Sequence, residues 1–387
     1  MIKRILISLI CLIFLLQSCR EEYFADIDKY EDILVVDGTI TNQPGPYEIR
    51  LSKSSPINRP ELKPYAGAQV TVLDNLGNEE IFTEVSPGIH TSKADGLQGI
   101  VGRKYKVVIA TPEDDIYESD FQELKEPTGI GNVYAEIESK NSGDPFYPTY
   151  GYQFFVDSEN SDADTVNLMW RLTGTYKYQS DFYIRYYYDY GLHEFPDADS
   201  LYTCYKTDVI QGIYTFSTAG LSNNEVKRLP LNYVTTDTRM LSIRYSLLVE
   251  QYTLPGEAYE YYNNLQTISA QQGLLYSQQP FQVKGNLKNS TRPEEPILGY
   301  FLVAGMTQKR IFVNRLPSDK VEFYYGVCVL SEADFEAYGY IRWTDRRTWP
   351  LYVTTSTSGR RALTHQDCVD CRRMGGVVDK PDFWIDD

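Results

Sequence analysis

A chain of 387 residues with a formal net charge of −16 is long enough for two or three hydrophobic cores. It is too acidic to bind nucleic acid or an anionic bilayer through its general surface. Tyrosine is the compositional oddity at 33 residues. It suits half-buried strands, where the ring packs while the hydroxyl stays wet; the other reading of the excess is an aromatic surface that stacks on sugars or grips peptides.

The chain opens with Lys3 and Arg4, followed by an apolar run from Ile5 to Leu16. That run is too short to span ~30 Å of hydrocarbon as a helix and reads as a secretory signal. Leu15-Leu16-Gln17-Ser18-Cys19 places a small residue directly before a cysteine. This resembles the bacterial lipobox, in which Cys19 is lipidated on sulfur and becomes the first mature residue. The competing reading is an ordinary signal with Cys19 as a chance thiol. Residues 1–18 are then a lipoprotein signal peptide and residues 19–32 a polar tether. Losing Lys3 and Arg4 takes the formal charge to −18. No second long apolar run follows, so lipid on Cys19 is the expected membrane attachment, at about 0.8 kcal/mol per buried methylene. Arg20-Glu21-Glu22 resembles the export signal that sends Bacteroidota lipoproteins to the outer face of the outer membrane; the alternative is a random charged tether.

From Ile33 the pattern becomes β-branched and apolar through Ile40, with a turn at Asn42-Gln43-Pro44-Gly45. Tyr47 to Leu51 and Ala68 to Asp74 alternate with period two, and Asn75-Leu76-Gly77-Asn78 closes a hairpin into Glu80 to Val85. Tyr105 to Ile109 and Ile116 to Phe121 follow. Short strands at roughly ten-residue spacing predict an antiparallel sandwich of immunoglobulin or transthyretin type over residues 33–126. "GAQVTVLDNLGNE … GLQGIVGRKYKVVI" resembles the carboxypeptidase-regulatory-like sandwiches of surface proteins. Glu126-Pro127-Thr128-Gly129 reads as a linker.

Residues 130–387 read as a larger β-rich domain with a cysteine-containing tail. Val133 to Ile137, Tyr152 to Val156, Val166 to Leu172 and Leu241 to Tyr252 read as strands, and Phe182 to Tyr188 as part of a wide sheet. Alternation there puts Phe182, Ile184, Tyr186 and Tyr188 on one face and Tyr183, Arg185 and Tyr187 on the other. One of the two faces is then an aromatic binding surface, with Tyr183 and Tyr187 as candidates on one and Tyr186 and Tyr188 on the other. Tyr259, Tyr262, Leu265 and Ile268 recur at helical spacing behind Pro255, which predicts an amphipathic helix ending near Gly273. The same question of exposure arises for Tyr259, Tyr261 and Tyr262, although core packing suits most of these rings. Leu298 to Val303, Arg310 to Val313 and Phe323 to Val329 read as strands, and Ser331 to Phe335 as a capping box opening a second helix.

Taken together, the lipobox, "VVDGTITNQPGPYEIRLSKSSPI", "EAYEYYNNLQ", "LYSQQPFQVKGNLKN", "ILGYFLVAGMTQKRIFV" and the closing "CVDCRRMGGVVDKPDFW" resemble the Bacteroidota lipoprotein family called domain of unknown function 4249. The resemblance implies a surface lipoprotein encoded near a TonB-dependent outer-membrane transporter, with that barrel as its partner. It transfers no catalytic residue.

Beyond Cys11, which leaves with the signal, and Cys19, the chain holds Cys204, Cys328, Cys368 and Cys371. An even number of thiols outside the inner membrane invites disulfides, and four allow three connectivities. Cys368-Val369-Asp370-Cys371 is open to three readings: a disulfide within it or to Cys204, half of a zinc site near His365, or a redox dithiol. The tail through Phe383 and Trp384 is expected to dock by its aromatics, with a disulfide pinning it. No Gly-x-Ser-x-Gly elbow, His-Glu-x-x-His, phosphate loop or dinucleotide fingerprint is present, so no catalytic residue, metal or cofactor is expected. Asp157 to Asp164 offers calcium-like oxygen spacing and reads as a solvated loop. The leading expectation is a non-catalytic accessory that binds a glycan or peptide ligand at the cell surface. A surface hydrolase and an adhesion or envelope-assembly protein are the alternatives.

Overall fold

The computed structural model describes residues 32–56, 61–141, 148–160, 165–271, 283–317, 319, 321, 323, 326, 328–332 and 349–386. The segment read as a signal, Cys19 and Arg20-Glu21-Glu22 lie outside them. Among the described residues the chain first runs through β1 (Leu34–Thr41), β2 (Glu48–Lys53), β3 (Lys63–Pro64), β4 (Gln69–Asp74), β5 (Glu79–Ser86), β6 (Ile89–Thr91), β7 (Lys104–Ala110), β8 (Ile116–Ser119) and β9 (Gln122–Glu123). There follow β10 (Ile130–Lys140), β11 (Thr149–Ser158), β12 (Asn167–Gln179), β13 (Tyr186–Tyr188), β14 (Leu192–Glu194), β15 (Thr203–Ser217), β16 (Leu229–Thr235) and β17 (Arg244–Thr253). Then come the helix α1 (Gly256–Gln271), β18 (Leu287–Asn289), β19 (Ile297–Asn314), β20 (Ser331–Glu332), β21 (Leu351–Thr355) and β22 (Arg361–Leu363). The protein is mostly β, as the alternating runs predict.

The strands form a 14-stranded sheet, a three-stranded sheet β10-β11-β16 and a five-stranded sheet β14-β13-β21-β22-β20. Period-two alternation in β1, β2, β4 and β7 buries Val36, Ile40, Ile49, Val70, Val72, Val107 and Ile109 in one cluster. That arrangement is compatible with the expected sandwich. A second cluster fills the space between β10-β11-β16 and β12-β17, around Trp170, Phe154 and Tyr245.

Strand β19 crosses the expected boundary at residues 126–130. Its residues Ile297 to Ala304 pair in parallel with β1, and Gly305 to Asn314 pair antiparallel with β17. Phe301 and Val303 therefore complete the core of the N-terminal strands, and Leu287 of β18 joins them. At the handover a Cβ on Gly305 would lie 2.3 Å from the Lys125 carbonyl and 2.7 Å from the Pro127 nitrogen. The segment read as a linker is thus laid directly over the shared strand. Gly299 has φ +94°, and a Cβ there would meet the Val36 carbonyl. Only a residue without a side chain allows that approach.

Two other expectations change. Only Tyr186–Tyr188 of the 182–188 run is a strand, in the five-stranded sheet and not in a wide one. Asp181 is held by Arg239 at 2.6 Å and the Phe182 amide by the Cys368 carbonyl at 3.0 Å, so the chain turns before a strand can extend. Ser331 and Glu332 pair with Leu363 and Ala362 as β20 instead of capping a helix. The Glu332 carboxylate accepts from the Ser356 and Ser358 hydroxyls at 2.9 and 2.6 Å, partners no local pattern shows. Residues 333–335 lie outside the described residues. So do three of the seven positions in 323–329, and none of the described ones there is in a strand.

The four cysteines among the described residues pair as Cys204–Cys371 and Cys328–Cys368. The zinc and redox readings of the Cys-x-x-Cys lapse, because each sulfur is bonded to a distant partner. Asp181 lies beside the Cys328–Cys368 sulfurs, but disulfide sulfur offers no thiolate to a metal. The tail docks as expected: Trp384 meets Tyr205 and Phe312 edge-on at 5.1 and 5.4 Å, and Arg310 lies 3.5 Å over the Phe383 ring.

His90 in β6 is 1% exposed, and neither ring nitrogen has a hydrogen-bond partner among the described residues. Burial lowers its pKa from 6.5, with Glu84 across the ladder opposing only in part. The unfolded chain therefore binds a proton at His90 where the folded one does not. Stability contributed by the neutral ring is present above pH 6.5 and is lost as pH falls below it, by up to about 1.4 kcal/mol per pH unit. A His90→Leu variant is expected to lose part of the acid sensitivity of the parent between pH 7 and 5. Parallel pH profiles of the two melting temperatures would refute this assignment.

Candidate functional site: a tyrosine-lined cleft

A cleft of about 800 Å³ opens between β1, β12, β15 and α1. Strand alternation supplies its floor. On β12, Trp170 and Leu172 face the core under the three-stranded sheet, which leaves Met169, Arg171 and Thr173 toward the cleft. On β17 the same logic turns Gln251 inward, where it accepts the Trp170 indole N–H at 3.0 Å, and turns Glu250 and Tyr252 to the cleft. Arg171 and Glu250 are directly opposite in register.

The far wall is α1. Glu257 lies in its first turn, where a negative charge suits the helix dipole, and the Pro255 carbonyl accepts the Tyr259 amide at 3.0 Å. Ala258, Tyr262 and Leu265 pack on Met169, Tyr252 and Tyr300. Gln266 fastens the helix to β15 by accepting the Thr215 hydroxyl at 2.6 Å and its amide at 2.9 Å. Tyr261, Tyr262 and Tyr300 form a ring cluster with centroids 4.8 to 5.8 Å apart. A second cleft, of about 550 Å³, lies beyond Tyr261 and Tyr300 and is bordered by Lys284 and Glu260.

Strand β15 is interrupted beside Arg171. Trp170 pairs with Tyr214 and Leu172 with Ile210, so Gln211, Gly212 and Ile213 bulge out opposite Arg171. A bulge bends its strand and leaves backbone groups unpaired, a device common beside binding sites. β15 is also the edge of the large sheet.

The electrostatics are those of partly buried groups in an open cleft. Burial pushes the Tyr252, Tyr261 and Tyr300 hydroxyls up to about 12 and raises Tyr262 as well. Glu250 is held above the usual carboxylate range by burial, with Arg171 opposing. Burial would lower the Arg171 guanidinium, but the fields of Tyr262, Tyr252, Asp37 and Glu250 prevail and keep it firmly charged. Arg171 nevertheless has no carboxylate within 4.0 Å among the described residues. It reaches the Thr39 hydroxyl at 3.5 Å and the Tyr252 hydroxyl, with the Tyr252 ring centroid at 5.4 Å. No histidine, cysteine, serine or lysine lines the cleft among the described residues.

The tyrosines first singled out sit elsewhere. Tyr188 is buried, Tyr186 lies under the Arg361 guanidinium at 5.0 Å, Tyr187 stacks on His193 at 5.1 Å, and Tyr183 stacks on Tyr202 at 3.9 Å. None of the four lines the cleft. Tyr261 and Tyr262, questioned on helical spacing, do line it. Arg171 and Glu250 were missed; the one local signal was a charge inside each of two otherwise apolar runs. In the calcium-like segment, Asp157 accepts the Arg228 amide at 2.8 Å and Ser158 the Val226 amide at 2.7 Å, while residues 161–164 lie outside the described residues.

A family model described as a domain of unknown function, DUF4249, matches residues 20–310. Every residue lining the larger cleft falls inside that match. No curated protein matches the chain.

Proposed function

Because the chain belongs to the DUF4249 family, we propose that it is an outer-membrane surface lipoprotein, anchored through Cys19. It serves as a non-catalytic accessory to a TonB-dependent barrel. The cleft around Arg171 is its recognition site. The observation that carries the binding role is the pairing of a charged, partly buried guanidinium with five tyrosines in a recess of ligand size. The recognition reading is supported by the guanidinium and the rings that face one another across the cleft. No helix among the described residues is long and apolar enough to cross a membrane, so the anchoring reading rests on the lipobox.

Two measurements test this. A Cys19→Ala variant will no longer incorporate labelled palmitate; persistent labelling overturns the anchor. Mild-detergent purification of the tagged protein from its own membranes will bring down a stoichiometric large β-barrel, identified by mass spectrometry. A lone lipoprotein after crosslinking overturns the accessory role. A hydrolase reading draws on Glu250, a buried carboxyl in a cleft. It would be supported by turnover of a glycan or peptide panel that Glu250→Gln abolishes.

A further inference from the structure

We infer that the cleft takes a short peptide by its C-terminal carboxylate, with Arg171 as the anchor and the bulge of β15 as the backbone guide. This rests on the reading of the cleft as the recognition site.

The first ground is unspent hydrogen-bonding capacity. A guanidinium carries five N–H donors. Arg171 directs its donors at the Thr39 hydroxyl, at a long 3.5 Å, and at the Tyr252 hydroxyl, while Glu250, its partner in register, forms no ion pair with it and accepts from Tyr252 at 3.4 Å, so the fork has no carboxylate of its own. A partly buried guanidinium held only by two neutral hydroxyls gains most from an anionic partner, because hydrogen bonds between ionised groups are the stronger ones. The planar fork of arginine matches a carboxylate bidentately, which is the geometry a peptide terminus offers.

The second ground is the character of the walls. Met169, Met306, Leu265 and Ile213 line the cleft with the tyrosine rings, which suits an anion carried on an apolar or aromatic body. The third is the presence of acids. Asp37 is exposed on the cleft wall and Glu250 lies within the field of Arg171. A polyanion such as a uronate chain would meet both, whereas a peptide brings one carboxylate and an ammonium that Asp37 attracts. Glu48 is already paired with Arg50. The fourth is the backbone: Gln211, Gly212 and Ile213 have no partner on β12, and they lie on an edge strand. Extended peptides add to such edges through main-chain hydrogen bonds.

The test is calorimetric titration of the full chain in detergent. The probes are tripeptides ending in Leu, Phe or Tyr, each as free acid and as C-terminal amide, with an oligogalacturonate as a separate arm. At least one free acid is expected to bind, with its amide at least tenfold weaker. Arg171→Gln is expected to weaken the free acid at least tenfold at an unchanged melting temperature, and Arg171→Lys to fall between. Equal binding of acid and amide, binding untouched by Arg171→Gln, uronate binding without peptide binding, or no binding of any probe at millimolar concentration would each overturn the inference. Copurification of the barrel with the Arg171→Gln protein separates the two readings. A retained barrel without peptide binding sinks only the ligand assignment, and peptide binding without a barrel sinks only the accessory role.

Discussion

A fragment spanning residues 32–126 will show no cooperative thermal transition. The N-terminal strands look self-contained along the chain, but their core includes Leu287, Phe301 and Val303, and β1 spends eight residues pairing with β19. Fully burying each of those side chains contributes roughly 1.5–3 kcal/mol. Removing all three withdraws an amount comparable to the roughly 5–15 kcal/mol by which a whole domain is stable. It also bares β1 as an apolar edge, which invites aggregation. Circular dichroism during heating would decide: a flat, gradual loss is expected, and a sharp reversible melt would show that the fragment is an independent domain. Gly299→Ala in the full chain probes the same joint more gently. Its positive φ and the clash with the Val36 carbonyl put the expected loss at about 2–4 kcal/mol.

The second large effect is expected from the Cys204–Cys371 bridge. Both cysteines are fully buried, and the bond closes a separation of 167 residues. It also fixes the Cys371 carbonyl under the Tyr178 hydroxyl at 2.6 Å and so orients the tail that carries Phe383 and Trp384. Replacing both cysteines by serine is expected to cost about 2–5 kcal/mol and to lower the melting temperature by roughly 5–15 °C. The double substitution avoids leaving a reactive thiol. The Cys328–Cys368 bridge closes only 40 residues, and loop entropy makes its loss cheaper by about 1.3 kcal/mol. Limited proteolysis should release the C-terminal segment first in the 204/371 variant. If the order of the two bridges is reversed, or the 204/371 variant melts with the parent, the tail is held by its aromatic contacts alone.

Much of this was legible locally. Period-two runs place β1, β4, β7 and β17 within a few residues, because alternation is a property of one strand and one buried face. The helix at Gly256–Gln271 shows itself by Tyr262 and Leu265 behind Pro255, and the docking tail by Phe383 and Trp384. The mismatch at Phe182–Tyr188 has a physical cause. Alternation states that a strand is possible, but Asp181 and Phe182 are claimed by Arg239 and Cys368, from elsewhere in the chain.

What the amino-acid sequence determined by itself is the β-rich class, the faces of the strands, the single well-marked helix and the supply of cysteines. Tertiary structure alone decided that β1 lies parallel to a strand some 260 residues later, that Cys371 joins Cys204, and that Arg171 stands opposite Glu250 beside a bulge. The reason is that a side-chain pattern encodes which face of a strand avoids water but not which distant strand will cover it. That choice is made by the volumes and hydrogen bonds of the partner, so the cleft exists only once β12, β17, β19 and α1 have met.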